Sequence, residues 1–270
     1  MKSRWAVMAA VAALLACHLP TLRGMAAQWW NDEDMGHGFI VPLVIGWIIW
    51  NERRRWCTVP VRPSWRGVPL LIAGAALHFA AVLGVGLFAA SVAFLVSVSG
   101  AIVCLAGFGR LRAWAFPLLL SLFMLPKLAF AYNMFTLPLQ LLASRMAAAM
   151  LSIGGLGVIR EGNILDVGGH RVAVAEACNG IRYLLPLGFM AVVLAYVMDP
   201  KAWMRFALLL VAVPLAILAN AARVAAAAAI PALDSGSPHM IAGAALFLIC
   251  LAVLAGARQL FHTVGGHLHA

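Results

Sequence analysis

From Trp203 to Ile230 the chain reads Trp-Met-Arg-Phe-Ala-Leu-Leu-Leu-Val-Ala-Val-Pro-Leu-Ala-Ile-Leu-Ala-Asn-Ala-Ala-Arg-Val-Ala-Ala-Ala-Ala-Ala-Ile, an apolar run broken only by Arg205, Asn220 and Arg223. A helix needs about 20 such residues to cross the hydrocarbon of a bilayer, so this stretch reads as a membrane span. The remainder has the same character. Of 270 residues, 64% are hydrophobic and 10% charged, whereas a soluble domain is about half apolar and a quarter charged. The composition excludes a water-soluble globule and predicts an all-α, polytopic membrane protein. A net charge of +10 raises the question of nucleic acid. The Lys and Arg residues, however, stand in short clusters between apolar runs, where they set orientation in the membrane. The expected surroundings are therefore a lipid bilayer and no nucleic acid.

Apolar runs recur near 5–22, 38–50, 67–87, 90–108, 113–132, 136–156, 182–198, 203–230 and 239–257. Lys2 and Arg4, the cluster from Arg53 through Arg66, Arg110 with Arg112, Lys201 with Arg205, and Arg258 mark the cytoplasmic side. Threading the runs through these anchors places 23–37, the turn near 88 and the region of Asn133 outside. The pattern closes only if 136–156, which carries Gln140, Ser144 and Arg145 between Pro138 and Gly154-Gly155, does not fully cross. It is expected as a re-entrant or interfacial helix. The expectation is about eight crossings in one integral domain spanning 1–270, with both termini cytoplasmic and no separate soluble domain.

Against this background Ala175-Glu176-Ala177-Cys178-Asn179-Gly180-Ile181-Arg182-Tyr183 is a polar island around a thiol. Polar groups placed in lipid cost a few kcal/mol each, so such a cluster points to function. The five cysteines, Cys17, Cys57, Cys104, Cys178 and Cys250, have no CxxC spacing and imply neither a disulfide framework nor a zinc site. Cys17 sits in a faint lipoprotein-like box, but Leu15 before Ala16 fits it poorly, and 5–22 is read as a retained helix. In the expected topology Cys178, the Asn220/Arg223 pair and His239 all fall at the outer ends of their spans. Taken singly, an arginine at a helix end snorkels and a histidine at a helix start caps it; their shared depth argues for a joint site.

Just before the island, Val158 to Val167, Gly168-Gly169 and His170 to Ala175 alternate loosely about a Gly-Gly turn, a short β-hairpin near 158–175. A hairpin cannot sit exposed in lipid and belongs in the aqueous layer. There it either offers an edge to an extended peptide or is a plain structural element.

These residues together resemble the exosortase/archaeosortase family of multi-pass membrane cysteine transpeptidases. The resemblance is carried by Glu176-Ala177-Cys178-Asn179-Gly180-Ile181-Arg182, by Asn220-Ala221-Ala222-Arg223 and by His239. It extends to Trp29-Trp30, Gly36-His37-Gly38 through Leu43, Phe123-Met124-Leu125-Pro126 and Arg160-Glu161-Gly162-Asn163-Ile164. Two positions depart from the family pattern: Asn179, where serine is usual, and Lys127, where a proline or apolar residue is usual. The resemblance implies a peptidase or transpeptidase of the bacterial cytoplasmic (inner) membrane that works at its outer face. Its substrates would be secreted proteins ending in a short sorting motif, a membrane helix and a basic tail. Such enzymes are often linked to exopolysaccharide production.

The side chains support that chemistry independently. A thiolate is the nucleophile, so Cys178 needs a base or a cation near it, and would carry the acyl group as a thioester. His239 is the natural general acid/base. Arg223 stays protonated and cannot be a base, which leaves stabilisation of the thiolate and then of the oxyanion. Arg182, one turn after Cys178, is a second cation or a partner for Glu176, and Asn220 shares a helix face with Arg223. His37 either lines the entrance or is an interfacial histidine in a turn. No metal or cofactor is expected; a metal-dependent intramembrane protease would need a motif such as HExxH, which the chain lacks. The rival class is a transporter of small solutes or lipid-linked carriers, which would show internal repeats and charges near the midplane. Neither is visible in the sequence.

Overall fold

The computed structural model describes residues 2–174, 180–198, 202–234 and 236–267. The chain forms two compact units, 1–128 and 129–270.

The first unit opens with α1 (Lys2–Cys17) and α2 (Leu19–Asn31), bent by 61° about His18. A 3-10 turn at Gly36–Phe39 leads into α3 (Ile40–Asn51) and the short basic α4 (Arg53–Cys57). Next come α5 (Val68–Ala80), prolonged by a π turn, and α6 (Leu87–Ala106). Between them Gly86 turns the chain at φ 96°, a left-handed conformation natural to glycine. These two helices approach backbone to backbone. A side chain at Gly74 would collide with Ser97, and a Cβ at Gly100 would lie 2.9 Å from the Leu71 amide nitrogen. Close approach over small residues is how helices bind one another in lipid, where burial from water provides no drive. Gly100→Leu is therefore expected to destabilise the unit by about 1–3 kcal/mol or more through overpacking, read as a lower thermal midpoint in detergent.

After Gly107 the expected span at 113–132 is broken into α7 (Phe108–Ala113), α8 (Ala115–Leu120) and a 3-10 turn at Ser121–Met124. Pro126 bars the helical conformation at the residue before it, and Leu125 is extended with ψ 141°.

The second unit begins with α9 (Ala129–Ile153), a continuous helix of 25 residues. The expected element at 136–156 does not form a separate short helix: 136–153 is the C-terminal part of a helix long and apolar enough to cross, and 154–156 lie beyond its end. Pro138, read as a boundary, lies inside it, as prolines can in membrane helices when neighbouring groups bond the freed carbonyls. The helix stops at Gly154-Gly155, where Gly155 has φ 79°.

A three-stranded antiparallel meander follows, β1 (Val158–Glu161), β2 (Ile164–Val167) and β3 (His170–Ala173), in the order β1-β2-β3. It contains the expected Gly168-Gly169 turn, with both φ values positive, and a second two-residue turn at Gly162-Asn163. One sheet face, with Leu165 and Val172, joins Ala143, Ala147 and Leu151 of α9 in a core shared with Val224, Ala225 and Ala228. The other presents Glu161, Asp166 and Arg171 as exposed ion pairs. Three helices complete the unit: α10 (Ile181–Met198), α11 (Ala202–Ala229) and α12 (Gly236–His267). They pack through Leu187, Ala191, Leu208, Ala212, Cys250 and Leu254, all buried.

Five helices among the described residues are long and apolar enough to cross a membrane, or six if the bent α1/α2 pair is one span. Three shorter apolar helices, Gly36–Asn51, Ala115–Met124 and Ile181–Val197, fall where spans are expected. Large apolar side chains such as Ile241, Leu248, Ile249 and Val253 are exposed on α12, which suits lipid and not water.

Candidate active site

Arg223 is the centre of the arrangement. It projects from α11 one turn after Asn220, and both are buried, at 4% and 2% exposure. Nη2 of Arg223 donates a hydrogen bond to Nε2 of His239, in the first turn of α12. On the far side of that ring Nδ1 donates to the Leu233 carbonyl at 2.7 Å. A guanidinium can only donate and a carbonyl can only accept. The histidine therefore carries its proton on Nδ1 and offers the Nε2 lone pair to Arg223, so the neutral ring satisfies both bonds.

Below the guanidinium lies Tyr183 of α10, its ring centroid 5.7 Å from Cζ of Arg223. Its hydroxyl donates to the Gly243 carbonyl of α12 at 3.2 Å. Gly243 is glycine for lack of room: a Cβ there would stand 3.3 Å from the Tyr183 oxygen and 3.4 Å from Nε of Arg223. Three helices thus clamp one cation.

Gly180, two residues beyond Cys178 in the chain, starts α10. Its carbonyl accepts from the amides of Tyr183 and Leu184 at 3.1 and 3.0 Å, and its φ of 90° requires glycine. A Cβ on it would be 3.4 Å from Nδ2 of Asn220, so the chain that leaves Cys178 enters α10 against Asn220, one turn from Arg223.

Of the residues singled out in the sequence, Arg223, Asn220 and His239 are brought together. Arg182 lies in the first turn of α10, half-buried. Glu176, Cys178 and Asn179 lie outside the described residues. His37 belongs to the other unit, where it is only 8% exposed and its Nε2–H donates to the Phe123 carbonyl at 3.0 Å. Tyr183, Gly243 and the Leu233 carbonyl escaped the sequence reading. Tyr183 alone carried a signal, standing in the polar island, whereas Gly243 sits in an ordinary apolar run.

The profile of the transmembrane exosortase family matches residues 29–256, most of the chain. The chain belongs to the transmembrane exosortase family. Comparison with curated proteins and with solved structures returns no match. Within this exosortase the departure at Lys127 has a structural explanation. Its ammonium pairs with Asp32 at 2.7 Å and Asp34 at 3.0 Å. Burial opposes the charge, but the hydrogen bonds that the ammonium donates to the two carboxylates outweigh it and raise its pKa above the usual lysine value. Together with the Trp29 indole, which donates to the Met124 carbonyl at 3.0 Å, the pairs fasten 123–127 to the loop after α2. Lys127→Met would leave Asp34, only 6% exposed, without that cation. It is expected to lower unfolding stability by about 3 kcal/mol, and Lys127→Arg by less, as measured by thermal denaturation of the purified protein.

Proposed function

We propose that this exosortase is a cysteine peptidase or transpeptidase of the bacterial cytoplasmic membrane, acting at its extracytoplasmic face on C-terminal sorting signals of secreted proteins. The observation that carries the reading is the bond from the buried Arg223 to His239, formed where the chain from Cys178 enters α10 against Asn220. A charge desolvated to this degree at the end of a span is costly without a purpose.

The chemistry follows from the hydrogen-bond roles. The Arg223 guanidinium moves off Nε2 of His239, the freed lone pair takes the Cys178 thiol proton, and the sulfur attacks the substrate carbonyl. Once Nε2 is protonated, it and the guanidinium are two donors, and their bond cannot re-form. Arg223 is then free to bond the thiolate and the oxyanion that follows it, a stabilisation commonly worth about 3 kcal/mol. Collapse of the tetrahedral intermediate breaks the peptide C–N bond, and His239 returns its proton to the leaving amine. The thioester on Cys178 is resolved by water, giving a peptidase, or by an amine, giving a transpeptidase. Asn220 and Arg182 support the site, the former through its contact with Gly180.

Mass spectrometry of membrane-protein C-termini in the source cells, with wild-type enzyme and with Cys178→Ala, tests the reading without a guess about the substrate. A set of proteins that keeps its C-terminal anchor helix only in the variant supports it, and the shared residues at the cut give the sorting motif. Identical C-termini in both, at equal enzyme levels, overturn it in favour of transport.

A further inference from the structure

The outer edge of the meander has a property that the catalytic groups do not use. The Val174 amide donates to the Asn163 carbonyl at 2.8 Å, so 163 and 174 are a hydrogen-bonded pair. Antiparallel pairing alternates. With the register Leu165↔Val172 and Val167↔His170, those two pairs are bonded as well. The intervening Arg171 and Ala173, opposite Asp166 and Ile164, turn their backbone N–H and C=O groups away from β2. Both residues are exposed, and among the described residues no hydrogen bond to these outward groups is made. A strand edge of this kind is a template for another extended chain.

The position of this edge gives it meaning. The sheet rests on α11 through Val172, Val174 and Val224, and Val224 is the neighbour of Arg223. Ala173 precedes Cys178 by five residues, at most about 17 Å of extended chain. The opposite edge, on β1, adjoins α9. On the face beside the β3 edge, the Arg171 guanidinium reaches Glu161 at 3.2 Å and Asp166 at 3.9 Å, a charged surface that keeps the sheet in water.

We propose that the β3 edge is the substrate-binding strand of this enzyme. The extended C-terminal segment of a secreted polypeptide adds to it as a fourth strand, through up to four hydrogen bonds with the backbone of Arg171 and Ala173, and is thereby aligned with Cys178. The inference rests on the peptidase reading above. It also requires free amides at alternate substrate positions, so backbone order, and not side-chain chemistry alone, selects what is cut.

The test uses the full chain in its membrane, with retention of C-terminal anchors as readout. Ala173→Pro removes one outward N–H and leaves the β2–β3 ladder intact, because that amide is not part of it. Anchor removal is expected to slow by roughly five- to tenfold, as for loss of a substrate hydrogen bond, while iodoacetamide alkylates Cys178 at the wild-type rate. Arg160→Pro, on the β1 edge, is expected to leave removal unchanged. Wild-type processing by Ala173→Pro, or equal slowing by Arg160→Pro, overturns the proposal. Should Ala173→Pro fail to accumulate, photo-crosslinking decides. In a Cys178→Ala chain, p-benzoylphenylalanine in place of Arg171 is expected to capture uncut precursor, and in place of Arg160 to capture none. Absence of capture at 171 overturns strand addition. If Cys178→Ala leaves no uncut precursor at all, it is the peptidase reading that has failed, and this inference with it.

Discussion

Replacing Cys178 by alanine is expected to abolish removal of C-terminal anchors, a fall of at least about a thousandfold for loss of a covalent nucleophile. A chain in which Cys17, Cys57, Cys104 and Cys250 are all alanine is expected to retain the activity. The contrast follows from their surroundings. Cys17 and Cys57 are exposed, Cys104 is half-buried on α6, and Cys250 is packed in the apolar core of α10–α12. There a thiol acts as a small hydrophobe, and its loss lowers stability by about 1 kcal/mol, as for other small core truncations. Processing rates and membrane levels of the two chains provide the check. Equal loss in both, with the four-fold variant at its normal level, would remove Cys178 from its role.

Arg223→Ala is expected to slow processing by about a hundredfold to a thousandfold, the usual effect of deleting an oxyanion partner, and to slow alkylation of Cys178 as well. Arg223→Lys should recover only a small part. An ammonium supplies the charge but lacks the planar fork that bonds Nε2 of His239 while stacking on Tyr183. The alkylation rate separates the two effects: a cation that merely supported packing would leave thiol reactivity intact once the protein is folded. Arg223→Ala enzyme that processes and alkylates at wild-type rates would exclude the guanidinium from the chemistry.

Much of the architecture was legible because apolar runs are local signals. The expected crossings at 38–50, 67–87, 90–108, 182–198, 203–230 and 239–257 coincide with helical elements, whereas 5–22 is bent at His18 and 113–132 is broken into short pieces, and the meander is where alternation about Gly168-Gly169 announced it. The failures were at prolines and glycines with two meanings. Pro138 reads as a stop in water, yet it is accommodated in α9, whereas Pro126 does end helicity. The Gly162-Asn163 turn was hidden inside what looked like one strand. In the site, Arg223, Asn220 and His239 were recognisable as polar groups in lipid. The parts supplied by backbone, the Leu233 and Gly243 carbonyls, leave no trace in residue type. Nor do the partners of Lys127, since Asp32 and Asp34 lie more than ninety positions earlier and only folding brings them together.

The distribution of the site over three helices has a consequence for biosynthesis. Arg223 emerges from the ribosome and enters the bilayer with α11, before α12 has delivered the imidazole that accepts its hydrogen bond. Until that last insertion the guanidinium is a desolvated charge without the His239 acceptor, which favours a loosely held, unfinished bundle. Capture of α12 therefore completes the Arg223–His239 pair and closes the helix bundle in a single event, and on the function proposed above a nascent chain would not cut its neighbours before its own assembly is finished.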